Sequence, residues 1–178
     1  PDGNSYVGDG IEDDFNPVAL CQDFTVQLDA SGNATISATD VNNGSTDACG
    51  IASLVVNPNA FTCANIGPNS VTLTVTDVNG NVSTCNATVT VEHIINPTAV
   101  CQDITVQLDA SGALTIISAD IDGGSADNCG AVTLTIDGGV SSLNFDCTDV
   151  GTPVDVLMVV SDENGNNSSC TVVVTVVD

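Results

Sequence analysis

The sequence predicts an all-β protein built as two small antiparallel β-sandwiches in tandem, held by disulfides. Three observations carry that expectation. Apolar residues recur with period two, an internal repeat spans nearly the whole 178-residue chain, and eight cysteines fall four to each repeat. Successive side chains leave a strand on opposite sides, so apolar-in, polar-out alternation marks a sheet with one buried and one wet face.

The repeat comes first, because it sets the domain count. Pro17-Val-Ala-Leu-Cys21-Gln-Asp and the following Thr-Val-Gln-Leu-Asp-Ala-Ser-Gly32 return as Pro97 to Gly112, at an offset of 80. Asp47-Ala-Cys49-Gly50 returns as Asp127-Asn-Cys129-Gly130 at the same offset. Phe61-Thr-Cys63 matches Phe145-Asp-Cys147 at 84, so the second repeat holds a four-residue insertion. Asp77-Val-Asn-Gly-Asn81 and Cys85 match Asp162-Glu-Asn-Gly-Asn166 and Cys170 at 85. These offsets divide the chain into an acidic leader over 1–16, a first domain over 17–94 and a second over 95–178. The chain opens on Pro1 without a Met or a visible signal peptide, which reads as a mature or partial chain.

Within a repeat each element has its signal. Phe24, Val26 and Leu28 alternate with polar residues and run into the turn Ala30-Ser-Gly32. Val71, Leu73 and Val75 alternate with Thr72, Thr74 and Thr76. After the Asn79-Gly80 turn, Cys85, Ala87, Val89 and Val91 alternate with Asn86, Thr88 and Thr90. Asn-Gly supplies the positive φ angles that a tight hairpin needs. No helical pattern of useful length appears. Several short strands in about 80 residues define a small sandwich of the immunoglobulin type.

Composition narrows the function. There are 23 acidic residues and no Lys or Arg, a formal charge of -23. Nucleic-acid backbones, anionic membrane surfaces and phosphorylated ligands all call for cationic side chains, so none is an expected partner. The 42% hydrophobic content is mainly aliphatic, with no Trp, one Tyr and four Phe, which is enough for two cores. No run approaches about 18 apolar residues, so no membrane insertion is expected.

An opening Cys before the first strand, the Asp-(Ala/Asn)-Cys-Gly corner, the Phe-x-Cys turn, and Val/Thr alternation into Asp-x-Asn-Gly-Asn and a Cys-bearing last strand resemble hyalin-type (HYR-like) repeats. More narrowly they resemble the tandem repeats of very large secreted surface proteins of Bacteroidetes bacteria, over residues 17–178. The resemblance implies an immunoglobulin-like fold and a role in adhesion or extracellular structure, and brings no catalytic residue with it. The extra Cys pair in each repeat departs from many hyalin-type modules.

Cysteines at matching places fit an oxidising compartment. Four per repeat allow three pairings. The expected one joins opening and last-strand cysteines, Cys21–Cys85 and Cys101–Cys170, and then the corners, Cys49–Cys63 and Cys129–Cys147. Zinc is disfavoured as an alternative, because the chain has no C-x-x-C and a single His.

Calcium is the expected cofactor, since hard cations take clustered oxygens. The leader offers Asp2, Asn4, Asp9, Glu12 and Asp13, and Gly8 to Asn16 is similar to half a thrombospondin type 3 calcium repeat. A second candidate set, Asp40, Asp47, Asp120, Asp122 and Asp127, precedes or forms the Cys-Gly corners, where Asx turns would use the same residues. Asp77-x-Asn79-x-Asn81 and its counterpart at Asp162 mimic half an EF loop but read first as hairpin turns. Six sequons, at Asn33, Asn43, Asn81, Asn86, Asn166 and Asn167, are candidate glycosylation sites.

No enzyme is expected. His93 is the lone imidazole, at the end of the first repeat's last strand, and no Ser-His-Asp set assembles around it. A sugar-holding cleft usually needs aromatics, and Trp is absent. One difference between the repeats points to self-assembly. Thr72, Thr74, Thr88 and Glu92 become Leu157, Val159, Val173 and Val177, all outward-facing. Together with Tyr6, Val7, Ile11 and Phe15 of the leader, they form a candidate subunit interface. The expected function is a non-catalytic structural or adhesive module at the cell surface, a subunit or segment of a bacterial surface fibre assembling head to tail. The alternative is a carbohydrate-binding or calcium-dependent module of a larger secreted protein, with surface glycans as partners.

Overall fold

The structure, a computed structural model, describes residues 14–178. It is all-β, with two immunoglobulin-like β-sandwiches in tandem. By contacts, unit 1 takes the chain up to Leu28 together with Asn33–Glu92. Unit 2 takes Asp29–Gly32 together with His93–Asp178.

Unit 1 contains β1 (Phe24–Gln27), β2 (Asn33–Thr35), α1 (Ala38–Val41), β3 (Ile51–Asn57), β4 (Ala60–Thr62), β5 (Gly67–Asp77) and β6 (Val82–Glu92). One sheet has the order β1-β6-β5-β3, and the other is the pair β2-β4. Strict alternation on β5 and β6 sends Val71, Leu73, Val75, Ala87, Val89 and Val91 inward, where each is buried. Ala34 and Phe61 of the smaller sheet are buried with them, as are Leu28, Ile36, Val41 and Val56.

Unit 2 repeats the plan with β7 (Ile104–Gln107), β8 (Ala113–Ile117), β9 (Thr133–Ile136), β10 (Ser142–Asp146), β11 (Val154–Ser161) and β12 (Asn167–Val177). Its sheets are β7-β12-β11-β9 and β10-β8. The core joins Val156, Met158, Val160, Val172, Val174 and Val176 to Ile116, Ile121, Ile136 and Phe145. The inserted residues fall in the region of the β9–β10 turn, where Asp137 takes a φ of 39° and its Oδ1 accepts the Leu157 amide at 3.0 Å.

The sheets are not wholly antiparallel. β1 pairs parallel to β6, Phe24 opposite Val89, and β7 pairs parallel to β12, Ile104 opposite Val174. The first strand of each unit thus lies beside its last, running the same way. The other named pairings are antiparallel. Each long hairpin closes through an Asp-x-Asn-Gly-Asn turn whose Gly80 or Gly165 adopts a φ of 95° or 92°, a conformation open to glycine.

Disulfides join Cys21 to Cys85 and Cys101 to Cys170. The corner cysteines correct the sequence expectation. Cys49 and Cys147 lie outside the disulfides, so neither Cys49–Cys63 nor Cys129–Cys147 forms. At the second corner the reason is local. The Cys147 Sγ lies 3.8 Å from the Gly112 carbonyl, against the β7–β8 turn, while Cys129 is disulfide-bonded elsewhere.

Candidate functional site

Among the described residues, the densest gathering of chemically capable side chains lies in unit 2, where three stretches of chain meet. The β11–β12 turn supplies Asp162 and Asn166. Asp162 Oδ1 accepts the backbone amides of Asn164 (2.9 Å) and Asn166 (2.8 Å), and Oδ2 accepts the Asn166 side-chain amide at 2.7 Å. The turn sequence therefore fixes the carboxylate before any tertiary contact is made. The Asp-Asn-Cys-Gly corner supplies Asp127 and Asn128, and Asp127 Oδ2 accepts the Cys129 amide at 2.7 Å. Between them lies His93, whose carbonyl accepts from Asn166 Nδ2 at 3.1 Å.

The His93 ring lies 3.1 Å from Asp162 Oδ2 through Nδ1 and 2.9 Å from Asn128 Oδ1 through Nε2. Asp127 Oδ2 stands 3.8 Å from Nε2. The side chains of His93, Asp127 and Asp162 are 0%, 2% and 3% exposed, so the group is closed to solvent. Burial works to raise the Asp162 carboxyl. Hydrogen bonds from the Asn166 side chain, the Asn166 and Asn164 amides and His93 together outweigh it and hold the group below the ordinary range. Asp127 Oδ1 is buried with no hydrogen-bond partner among the described residues. The ring is enclosed, so it does not reach a surface-bound substrate.

Unit 1 shows the same turn chemistry without the imidazole. Asp77 is buried, its Oδ1 accepting from Asn79 and Asn81 and its Oδ2 from the Asn81 amide. Asp47 Oδ1 accepts from Cys49 and Gly50. At the repeat offset of 80, the residue matching His93 is Asp13, which lies outside the described residues.

The other candidate calcium ligands among the described residues are spread over local turns. Asp40 Oδ2 caps α1 by accepting from the Ser37 amide and hydroxyl, Asp120 accepts the Ile117 amide, and Asp122 accepts the Ser125 amide. Of the five, Asp127 alone gathers with His93 and Cys129 among the described residues, and the Cys129 sulfur is disulfide-bonded. Asp2, Asn4, Asp9, Glu12 and Asp13 lie outside the described residues, as do Tyr6, Val7 and Ile11. Phe15 is 80% exposed.

Of the sequons, Asn33, Asn43, Asn86 and Asn167 are exposed, whereas Asn81 and Asn166 are part-buried and donate their amides to Asp77 and Asp162. Leu157 and Val177 are exposed on the outer face of the larger unit 2 sheet, with half-buried Val159 and Val173 on the same face. Sequence reasoning named Asp127 but missed its convergence with His93. The available signal was the lone imidazole standing where the offset of 80 has Asp13 in the leader.

No protein-family model and no curated protein matches the chain. Among solved structures it is similar to protocadherin gamma B7 extracellular cadherin domains 1–4, at 12% identity and a TM-score of 0.45, over 93% of this chain and 51% of that one. The chain thus spans about half the length of that structure. It is also similar to mouse clustered PcdhgC3 EC1–3, at 12% identity and a TM-score of 0.43, over 93% of this chain and 69% of that one. A third is the titin I-band fragment I67–I69, at 11% identity and a TM-score of 0.40, over 91% and 66%. The fold assignment stands on the strand order and pairing given above.

Proposed function

We propose that the chain is a non-catalytic structural or adhesive module of an extracellular surface fibre in which copies join head to tail. The outer face of the β7-β12-β11-β9 sheet carries this reading. Leu157 is 42% and Val177 39% exposed, beside half-buried Val159 and Val173. The matching residues of unit 1 are Thr72, Thr74, Thr88 and Glu92. Monomers tend to avoid contiguous exposed apolar surface. A patch on the second repeat that meets a complement elsewhere on the next copy makes a heterologous contact, which builds an open filament. In this reading the apolar complement is the leader, with Tyr6, Val7, Ile11 and Phe15. The disulfides fit an oxidising compartment outside the cell. The resemblance to hyalin-type repeats of Bacteroidetes surface proteins points the same way.

Electron microscopy and sedimentation of the oxidised chain test the proposal. Filaments are expected from the full sequence. Deleting residues 1–14, or combining Val159→Thr with Val173→Thr, should leave folded monomers. Filaments that persist in both variants would overturn it.

A further inference from the structure

We propose that the His93 cluster is a binding site for a divalent transition metal of the zinc class. The ligands would be His93 Nε2, the Asp127 carboxylate and Asn128 Oδ1, with Asp162 as the outer partner that orients the ring.

The argument begins with what the cluster leaves unbalanced. Two carboxylates are closed off from water in a chain with no Lys or Arg, and one oxygen, Asp127 Oδ1, has no hydrogen-bond partner among the described residues. Burying a carboxylate oxygen unpaired is strongly unfavourable unless positive charge sits against it. Asp162 Oδ2 lies 3.1 Å from Nδ1 and so takes that nitrogen's hydrogen. The Nε2 lone pair of a neutral ring then points at two further oxygens, Asn128 Oδ1 at 2.9 Å and Asp127 Oδ2 at 3.8 Å. Three electron-rich atoms facing one another repel. A proton on Nε2 would satisfy Asn128 alone, whereas a metal ion among them binds Nε2, Asn128 Oδ1 and Asp127 Oδ2 together, with Asp127 Oδ1 available as the second oxygen of a bidentate carboxylate.

Geometry and donor type agree. Ligand atoms about 2.1 Å from a tetrahedral ion stand about 3.4 Å from one another, and the two separations from Nε2 bracket that value. One imidazole nitrogen with carboxylate and amide oxygens suits zinc or a neighbouring transition ion, whereas calcium takes oxygens alone. Cys129 lies among these groups, but its sulfur is disulfide-bonded and offers no thiolate. Asp162 on Nδ1 completes the carboxylate–histidine–metal arrangement that fixes the ring's orientation.

The test uses the whole oxidised chain, stripped with chelator, in enough salt to screen its surface charge. Calorimetry with Zn²⁺ should give one site per chain and a raised melting temperature. Ca²⁺ and Mg²⁺ should not compete at matched concentration. Co²⁺ should develop visible absorption bands. His93 is the single histidine, so its ring nitrogens can be read without ambiguity by ¹⁵N NMR of the unmutated protein. Zn²⁺ should shift Nε2 to the metal-bound position while Nδ1 stays protonated. His93→Gln and Asp127→Asn should abolish binding, and Asp162→Asn should weaken it about 10–100-fold. Zinc binding that survives His93→Gln, or a ring that keeps both protons in excess Zn²⁺, would overturn the proposal. The second result would make His93 a charged clamp between two carboxylates. The NMR arm needs no variant, so it decides the matter even if the substitutions unfold.

Discussion

Asn166 donates its side-chain amide to Oδ2 of Asp162 at 2.7 Å, across a turn whose backbone amides occupy the other carboxylate oxygen. One side chain thus accepts three hydrogen bonds from its own turn, besides that of His93, and locks the β11–β12 hairpin. Asp162→Ala should lower the melting temperature of unit 2 by roughly 5–10 °C, since several hydrogen bonds are lost from a small domain. Asp77→Ala should do the same in unit 1. Differential scanning calorimetry checks both, and an unchanged transition in either variant contradicts the assignment.

Acid should destabilise the protein in a defined window. Asp77, Asp109, Asp122, Asp146 and Asp162 are all held below the ordinary carboxyl value. For Asp109 and Asp146 the leading cause is a hydroxyl hydrogen bond, from Ser111 and Thr148. For the other three, burial pulls upward and the turn hydrogen bonds outweigh it. Unfolded aspartate titrates near about 3.9, so the unfolded chain takes up these protons first as pH falls. The stability they confer is whole above that value and is lost as pH drops through the lower folded values. Relief of self-repulsion opposes this at low salt. In screening salt, urea midpoints should stay level from about pH 7 to 5 and fall below about pH 4. Midpoints that continue to rise below that point would count against it.

Breaking the long disulfides should weaken the fold substantially. Cys101 and Cys170 are separated by 69 residues and Cys21 and Cys85 by 64, so each bond removes much freedom from the unfolded chain. Replacing either pair with Ala should remove about 2–4 kcal/mol in denaturant titration. Alkylating the native, unreduced protein should label Cys147, which is exposed and not disulfide-bonded. Protection of Cys147 would restore the Cys129–Cys147 pairing.

The sequons should divide by structure. Asn33, Asn43, Asn86 and Asn167 are exposed, while Asn81 and Asn166 commit their amides to part-buried turns. A glycan on either turn would crowd the carboxylate contact. Peptide mapping after exposure of the folded chain to N-glycosylation machinery should find sugar at the first four alone. Occupied Asn81 or Asn166 would contradict this.

Period two in the sequence placed Val71, Leu73 and Val75 on one face, because a pleated strand permits only two directions for a side chain. Parallel pairing of β1 with β6 was hidden, since alternation is the same whichever way a neighbour runs. The four residues of α1 are too few to leave a 3.6-residue period. Cysteine pairing at the corners depended on where loops bring sulfur atoms, and spacing does not encode that. The His93 cluster joins residues 35 and 69 positions apart. Each of its parts was visible as a turn or a lone imidazole, but their meeting belongs to tertiary structure.

The first and last strands of each unit lie side by side, and a covalent bond ties the chain just before the first to the body of the last. Tension applied along unit 1 enters near Cys21, crosses to Cys85 and leaves through Glu92, bypassing the 64-residue span between the two sulfurs. Unit 2 is shunted in the same way from Cys101 to Cys170, across a span of 69. Pulled from its ends, an oxidised chain cannot pay out the strands inside either loop. The two bridged spans are thereby shielded from tension, and reduction would expose both of them to it.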